Sequence, residues 1–147
     1  MAFHLRLGNR RANNVLRIQK AITKSELTNN KNERKVMHEK YKTCIEACNE
    51  CAAECEHCAS ACLQEGDVKM MARCIANDRD CADICRLAAA FMARGSEEAS
   101  HICEHCAEVC RRCAAECRKH KAEHCQRCAD ACEHCAEECE KMAGVPA

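Results

Sequence analysis

The sequence has few of the residues that usually build a globular core. Its 147 residues contain no Trp, one Tyr and two Phe, and Leu, Ile and Val are also scarce, which by itself would indicate disorder. There are only one Pro and four Gly, and no stretch shows the alternation of β-branched residues that predicts a strand. These absences argue against a sheet protein and favour an all-α fold.

The formal net charge is zero, but it is the sum of a basic region and an acidic region. Residues 1–36 contain nine Lys or Arg and two Glu, which gives +7, so the other 111 residues carry −7. We therefore predict a basic extension over residues 1–36, either flexible or one short helix, and a Cys-rich bundle over residues 37–147. The acidic bundle argues against nucleic acid as its partner, although the basic extension leaves a contact of its own open.

What the chain has in abundance is cysteine, nineteen residues in all, and their spacing is helical. The stretch CIEACNECAAECEHCASAC places its six thiols alternately four and three residues apart. This spacing is that of the a and d positions of a heptad, which face a partner helix. Two later stretches, 103–117 and 125–139, repeat the spacing. Free Cys packs as a small hydrophobic residue, so such rows can line a narrow core.

The heptads and the turn residues between them predict four helices. We expect the first to begin near 32–36 and to end at 63, and the others to cover about 68–93, 97–117 and 123–142. Asp67 is expected to cap the second helix, and the segment 94–96 to separate the second from the third. Short connections between helices of this length predict an antiparallel, up-down-up-down four-helix bundle with a Cys-lined core.

A disulfide scaffold explains this cysteine pattern poorly. The cysteine count is odd, the spacing is regular where disulfide frameworks are irregular, and no apolar signal segment follows the basic pair Arg10-Arg11. Disulfides are rare in the reducing cytoplasm. We therefore expect a cytoplasmic protein with free thiols, and no association with a membrane.

Rows of thiols on facing helices predict a binding site for soft metal ions. Residues four apart on a helix are neighbours, and eight pairs of the form C-x-x-x-C could each bring two thiolates to one ion. Thiolates select Cu(I), zinc and iron–sulfur clusters, and Cu(I) suits a continuous column best because two or three thiolates satisfy it. A zinc, cadmium or iron–sulfur module, and a thiol redox protein, remain alternatives. Cysteine as mere core filling is a poor explanation, since Ala or Leu would serve without oxidation.

The candidate metal ligands are the whole cysteine set and two histidines that continue one cysteine row. They are Cys44, Cys48, Cys51, Cys55, Cys58, Cys62, Cys74, Cys81, Cys85, Cys103, Cys106, Cys110, Cys113, Cys117, Cys125, Cys128, Cys132, Cys135, Cys139, His120 and His124. Asp78, Met70 and Met71 are expected near the same end as the histidines, where ions would be taken up and released. Tyr41, Met37, Met92, Ala99 and Met142 would close the opposite end.

From about Tyr41 to Met142 the sequence resembles the bacterial cytosolic copper storage proteins. The motifs that carry the resemblance are CIEACNECAAECEHCASAC, DRDCADIC, ICEHCAEVC, AECRKH and HCQRCADACEHCAEEC. The resemblance implies a four-helix bundle that forms homotetramers and holds many Cu(I) ions per chain on cysteines. It also implies a His-containing opening, matched by Cys117, His120 and His124, and storage without catalysis. A copper chaperone or an acceptor enzyme would exchange ions with it. Residues 1–36 depart from the family pattern.

Overall fold

The computed structural model describes the backbone of residues 3–144. It describes the side chains of residue 17 and of residues 20 to 144, except 21, 22 and 34. The described residues form four α-helices: α1 Phe3–Cys62, α2 Val68–Ala93, α3 Ala99–Cys117 and α4 Glu123–Ala143. No strand occurs among them, which confirms the all-α prediction.

The ends of α2 follow from local residues, as the sequence predicts. Asp67 is its N-cap, and the carboxylate accepts a hydrogen bond from the backbone N of Met70 at 3.3 Å. Beyond its C-terminus, Gly95 takes a left-handed conformation with φ 64°, which favours glycine because no Cβ is present to clash. The bounds predicted for α2 are confirmed, and α3 begins two residues after the predicted start.

The first helix differs from the prediction. It begins at Phe3, whereas the sequence suggested a start near residues 32–36. The chain separates into two compact units, Met1–Met37 and His38–Ala147, and the second contains all nineteen cysteines.

In the second unit, residues 38–62 of α1 pack with α2, α3 and α4 as an antiparallel bundle. Ion pairs cross each seam between neighbouring helices on the outer surface, and exposed pairs of this kind add little stability but report which helices are adjacent. The pairs are Glu56–Arg86 for α1 and α2, Arg73–Glu116 for α2 and α3, Arg111–Glu140 for α3 and α4, and Arg127–Glu54 for α4 and α1. The helices therefore follow one another around the bundle in chain order.

The core of the second unit is built from small side chains. Its buried apolar residues are the nineteen Cys, eleven Ala and a few larger ones: Tyr41, Met71, Met92 and Val109. Small residues let helix axes approach closely, so facing rows of thiols come within contact of one another. Over the described part of the chain, none of the helices is both long and apolar enough to cross a membrane.

Candidate metal centre

The thiols form one continuous column along the axis of the bundle. All nineteen cysteines are free, and each is at most 1% exposed. Sets of four sulfur atoms lie within 4.8 Å of one another, and the sets share members. One set contains Cys51, Cys55, Cys81 and Cys132, and the next contains Cys55, Cys113, Cys128 and Cys132. No four ligands are isolated from the rest, as they would be in a structural zinc site.

The shortest sulfur–sulfur contacts join different helices. The Sγ atoms of Cys74 and Cys117 lie 3.5 Å apart, as do those of Cys85 and Cys110. Within one helix, the i,i+4 contact from Cys106 to Cys110 measures 3.9 Å, and other such contacts measure 4.0 Å. Four of the eight predicted C-x-x-x-C pairs are therefore neighbours within 4.0 Å, but closer partners are supplied by facing helices.

At one end, which we call the plug end, the column is covered by larger buried side chains. The plug end consists of Tyr41, Met92 and Ala99, which are 1%, 0% and 0% exposed. Tyr41 lies beside Cys44 and Cys103, and burial, followed by these two thiols, raises the pKa of its phenol. The phenol therefore stays neutral at ordinary pH, and this end offers copper neither an ionised oxygen nor a path from water.

At the opposite end, which we call the His end, His124 contacts three thiols. The His end consists of the α1–α2 turn, the α3–α4 turn and the thiols beneath them. The Nδ1 atom of His124 lies 3.4 Å from Cys125 Sγ, 3.6 Å from Cys58 Sγ and 4.0 Å from Cys62 Sγ. Its Nε2 atom donates to Glu65 Oε1 at 2.8 Å. A carboxylate that accepts from Nε2 leaves the lone pair on Nδ1, and that atom faces the sulfurs.

His120 occupies the same end without contacting the thiols through Nε2. This atom is buried with no hydrogen-bond partner among the described residues, and it lies 3.6 Å from Glu116 Oε1. Glu116 is itself held by Lys119 at 2.7 Å, and this hydrogen bond lowers the pKa of the carboxyl. Both predicted histidines are 14% exposed in their side chains, so both stand between the column and water.

Asp78 lies inside the column just below the His end. It is 0% exposed, and its Oδ1 accepts from the thiols of Cys113, Cys117 and Cys128 at 3.1, 3.4 and 3.4 Å. Cys74 donates to Oδ2 at 3.8 Å. Burial, with the neighbouring Cys128, raises the pKa of this carboxyl to about 8. A buried carboxylate is costly unless it is paired, and only thiol hydrogen atoms compensate it here.

The two methionines named with Asp78 lie in different environments. Met70 is 68% exposed in the first turn of α2, and Met71 is 7% exposed and belongs to the core. Of the other histidines, His57, His105 and His134 lie on the solvent side of their helices, as their position before a core cysteine predicts. Among the described side chains, His38 and His101 are exposed as well, and His120 and His124 are the histidines next to the column.

Two carboxylates of the His end were missed from the sequence. Glu65 follows α1 in a turn, so no helical periodicity connects it with His124. Glu116 lies four residues before His120 on one helix face, and this spacing was a signal that could have been read. Glu65 orients His124, and Glu116 lies beside His120. Both carboxylates lie outside the thiol column.

Burial favours the protonated form of two thiols at the His end, those of Cys62 and Cys125, in the metal-free protein. It raises the pKa of the Cys125 thiol to about 11 and raises that of Cys62 as well. A soft cation must therefore displace protons as it binds, because the thiolate is the ligand. The arrangement can accept many soft monovalent ions in series, since each ion neutralises one thiolate in a region without water.

Comparison with known proteins agrees with this chemistry. A family model described as copper storage protein matches residues 37–144. An uncharacterized cysteine-rich protein of Bacillus subtilis, YhjQ, is 46% identical over 71 residues, which cover 48% of this chain and 66% of that protein. The chain thus spans just under two thirds of the length of this curated relative.

This chain covers nearly the whole length of two similar proteins whose structures have been solved. The Cu(I)-bound copper storage protein BsCsp3, whose metal-free form is described as coming from Bacillus subtilis, is 46% identical, with 71% of this chain and 99% of that chain covered and a TM-score of 0.69. A cytosolic copper storage protein of Streptomyces lividans, described with five coppers, is 37% identical over 76% of this chain and 98% of that chain, with a TM-score of 0.72. A second Streptomyces lividans structure is described as loaded with ten copper equivalents.

Proposed function

The chain belongs to the copper storage protein family, and we propose that its bundle stores many Cu(I) ions on cysteine thiolates. The observation that carries the proposal is the buried column of nineteen thiols, with sulfurs of facing helices 3.5–3.9 Å apart. Thiolates are soft ligands that select Cu(I). A column in which every sulfur has several sulfur neighbours suits an ion that needs only two or three of them.

Charge balance sets how far loading can proceed. A thiol that binds Cu(I) releases its proton, so n thiols and n Cu(I) ions give a neutral set of n copper–thiolate units and n protons. Excess thiolate or excess copper would leave net charge in a region without water, which is costly. We therefore expect a capacity approaching about one ion per thiol, with about one proton released per ion.

Uptake and release take place at the His end in this proposal. His124 places an imidazole nitrogen within 4.0 Å of Cys58, Cys62 and Cys125. Imidazole is a weaker ligand for Cu(I) than thiolate, so it can hold an arriving ion and pass it to the sulfurs beneath. His120 would act beside it, whereas Met70 extends the outer surface and Asp78 accepts hydrogen bonds from the thiols below.

The wider assignments rest on the family and on its described members. We propose that the protein works in the cytosol, as the Streptomyces lividans relative is described to do, and that it assembles into homotetramers. We also propose that it stores copper without catalysing a reaction, and that a copper chaperone or an acceptor enzyme exchanges ions with it.

Anaerobic titration of the reduced protein with Cu(I), against a chromophoric chelator, tests the function. We expect strong binding to continue well beyond ten ions per chain and to approach about one ion per thiol. A pH-stat in the same titration should record about one proton per ion. Saturation after one or two ions, or preferential retention of zinc with four thiols per metal, would contradict the proposal.

A further inference from the structure

The first compact unit carries a row of lysine and arginine side chains that copper storage does not use. Arg17, Lys20, Lys24, Lys31 and Lys35 follow one another at intervals of three, four, seven and four residues in α1. These intervals place them on one side of a helix, and all five side chains are exposed. We call this set the cation row. It extends over about 27 Å of helix.

The acidic residues of this segment lie on the other side of the helix. Glu26 and Glu33 come two residues after Lys24 and Lys31, which corresponds to a rotation of about 200°. Both are exposed, and Glu33 accepts a hydrogen bond from Asn29 at 3.0 Å. Among the described side chains, no carboxylate forms an ion pair with any member of the cation row. The row is therefore a line of uncompensated positive charge.

We infer that the cation row is a docking surface for the sugar–phosphate backbone of double-stranded DNA. A line of cations complements a line of phosphates, and neutralising phosphates releases counterions, which drives binding without regard to base sequence. The major groove of B-form DNA is wide enough to admit an α-helix, with phosphates on both walls. The acidity of the bundle argues against DNA binding by the bundle itself.

An RNA duplex and a bilayer fit the same surface less well. The major groove of A-form RNA is too narrow for side chains to enter. A helix lying on an anionic membrane needs an apolar face flanked by cations. Among the described side chains of residues 17 to 36, the large apolar residues are Leu27 and Val36, and their spacing of nine residues places them on opposite sides of the helix. These two residues therefore form no continuous apolar face flanked by the cations.

A second copy of the chain offers a less regular line of anions, because several acidic groups of its bundle are already paired with arginines. In the bundle, Glu54 pairs with Arg127 and Glu140 pairs with Arg111. Arg118 alone pairs with both Asp130 and Glu133. Phosphates carry no such partners apart from mobile counterions, which the cation row would displace.

Fluorescence anisotropy with a labelled DNA duplex of about 20 base pairs tests the inference on the full-length, reduced, metal-free chain. Binding is expected to weaken with rising salt, with a slope of about −4.5 in log K against log salt for five phosphates. The variant Lys24→Gln/Lys31→Gln should reduce the slope by about 2 and weaken binding on the order of 100-fold at about 50 mM salt. Lys24→Arg/Lys31→Arg should bind as the parent does.

The matched control removes two exposed lysines outside the row. Lys40→Gln/Lys69→Gln changes the net charge by the same amount and should leave the affinity within about two-fold. Gln has good helix propensity, and circular dichroism confirms that each variant remains helical. No DNA binding, equal losses in the two Gln variants, or tighter binding to an RNA duplex or to anionic phosphatidylglycerol vesicles would overturn the inference. The inference would also be overturned if the parent chain self-associated and, of the variants, Lys24→Gln/Lys31→Gln alone abolished that self-association.

Discussion

The two ends of the thiol column have opposite chemistry. The plug end is closed by Tyr41 and Met92, which are 1% and 0% exposed, and the phenol there is kept neutral by burial. The His end is closed by two imidazoles that are each 14% exposed in their side chains. One of them faces three thiols through Nδ1 and a surface carboxylate through Nε2.

This difference indicates a column with one working end. A buried thiol column can exchange ions only where water and a weaker ligand meet the sulfurs. The His end has both, and the plug end has neither. The proposal therefore predicts that different residues control exchange rate and storage capacity, and substitutions at the two ends should separate them.

The largest expected effect comes from opening the plug end with Tyr41→Ala. Loss of a fully buried aromatic side chain should lower the free energy of unfolding of the metal-free protein by about 4 kcal/mol, measured by urea denaturation. Water should then reach Cys44 and Cys103, so that copper transfer from the loaded protein to a chelator accelerates.

Leu63→Ala is the matched control, because Leu63 is a large apolar residue at the His end that is 55% exposed. Its effect on stability should stay below about 0.5 kcal/mol. If Tyr41→Ala destabilised the protein but left the transfer rate unchanged, the plug end would not be the barrier that we describe.

The second effect concerns Asp78, which makes the half of the column near the His end pH-sensitive. Its pKa in the folded protein is about 8, above its value of about 4 in an unfolded chain. A raised pKa means that stability is fully present below pH 4 and is lost as the pH rises toward 8. We expect Asp78→Asn to remove this decline and to stabilise the metal-free protein by several kcal/mol near pH 8.

Urea denaturation between about pH 4 and pH 8 measures the decline. Asp80→Asn is the control, since Asp80 is exposed on the same helix and should leave the pH profile unchanged. If the stability of Asp78→Asn declined with pH as that of the parent does, groups other than Asp78 would be responsible for the pH dependence.

Closing the His end should slow exchange without reducing capacity. His124→Phe removes the nitrogen that faces Cys58, Cys62 and Cys125 and fills the opening with an apolar ring. We expect copper transfer to a chelator to slow about ten-fold, while the Cu(I) capacity falls by at most one ion. His134→Phe, at an exposed histidine of the same helix, should change neither quantity. An unchanged rate of copper transfer in His124→Phe would show that ions do not exchange at the His end.

The smallest effect tests the carboxylate behind the imidazole. Glu65→Gln keeps a hydrogen-bond acceptor for Nε2 but removes the charge that favours the Nδ1 lone pair. We expect the first Cu(I) to bind about three-fold more weakly, less than the ten-fold or more that follows complete loss of such a partner. Competition with a chelator at one equivalent of copper measures this affinity. Glu50→Gln, at an exposed acidic residue of α1, should have no effect, and an equal loss there would indicate a general charge effect.

Much of the bundle could be predicted because its signals are local and periodic. The heptad spacing of cysteines defined the core face of each helix, and Asp67 and Gly95 marked the ends of α2, where prediction and structure agree. The start of α1 at Phe3 was not predicted. Apolar periodicity is weak before residue 37, and propensity alone gives little indication where a helix begins.

The sequence by itself determined which residues face inward and what chemistry they can perform, because thiols at heptad spacing share one helix face whatever surrounds them. Only the tertiary structure decided which thiols are neighbours, since the closest contacts, such as Cys74 to Cys117 at 3.5 Å, join separate helices. It also decided that Asp78 is enclosed by four thiols and that Glu65 orients His124. These arrangements depend on the axial register between helices, which is set by packing along the whole bundle and by no local motif.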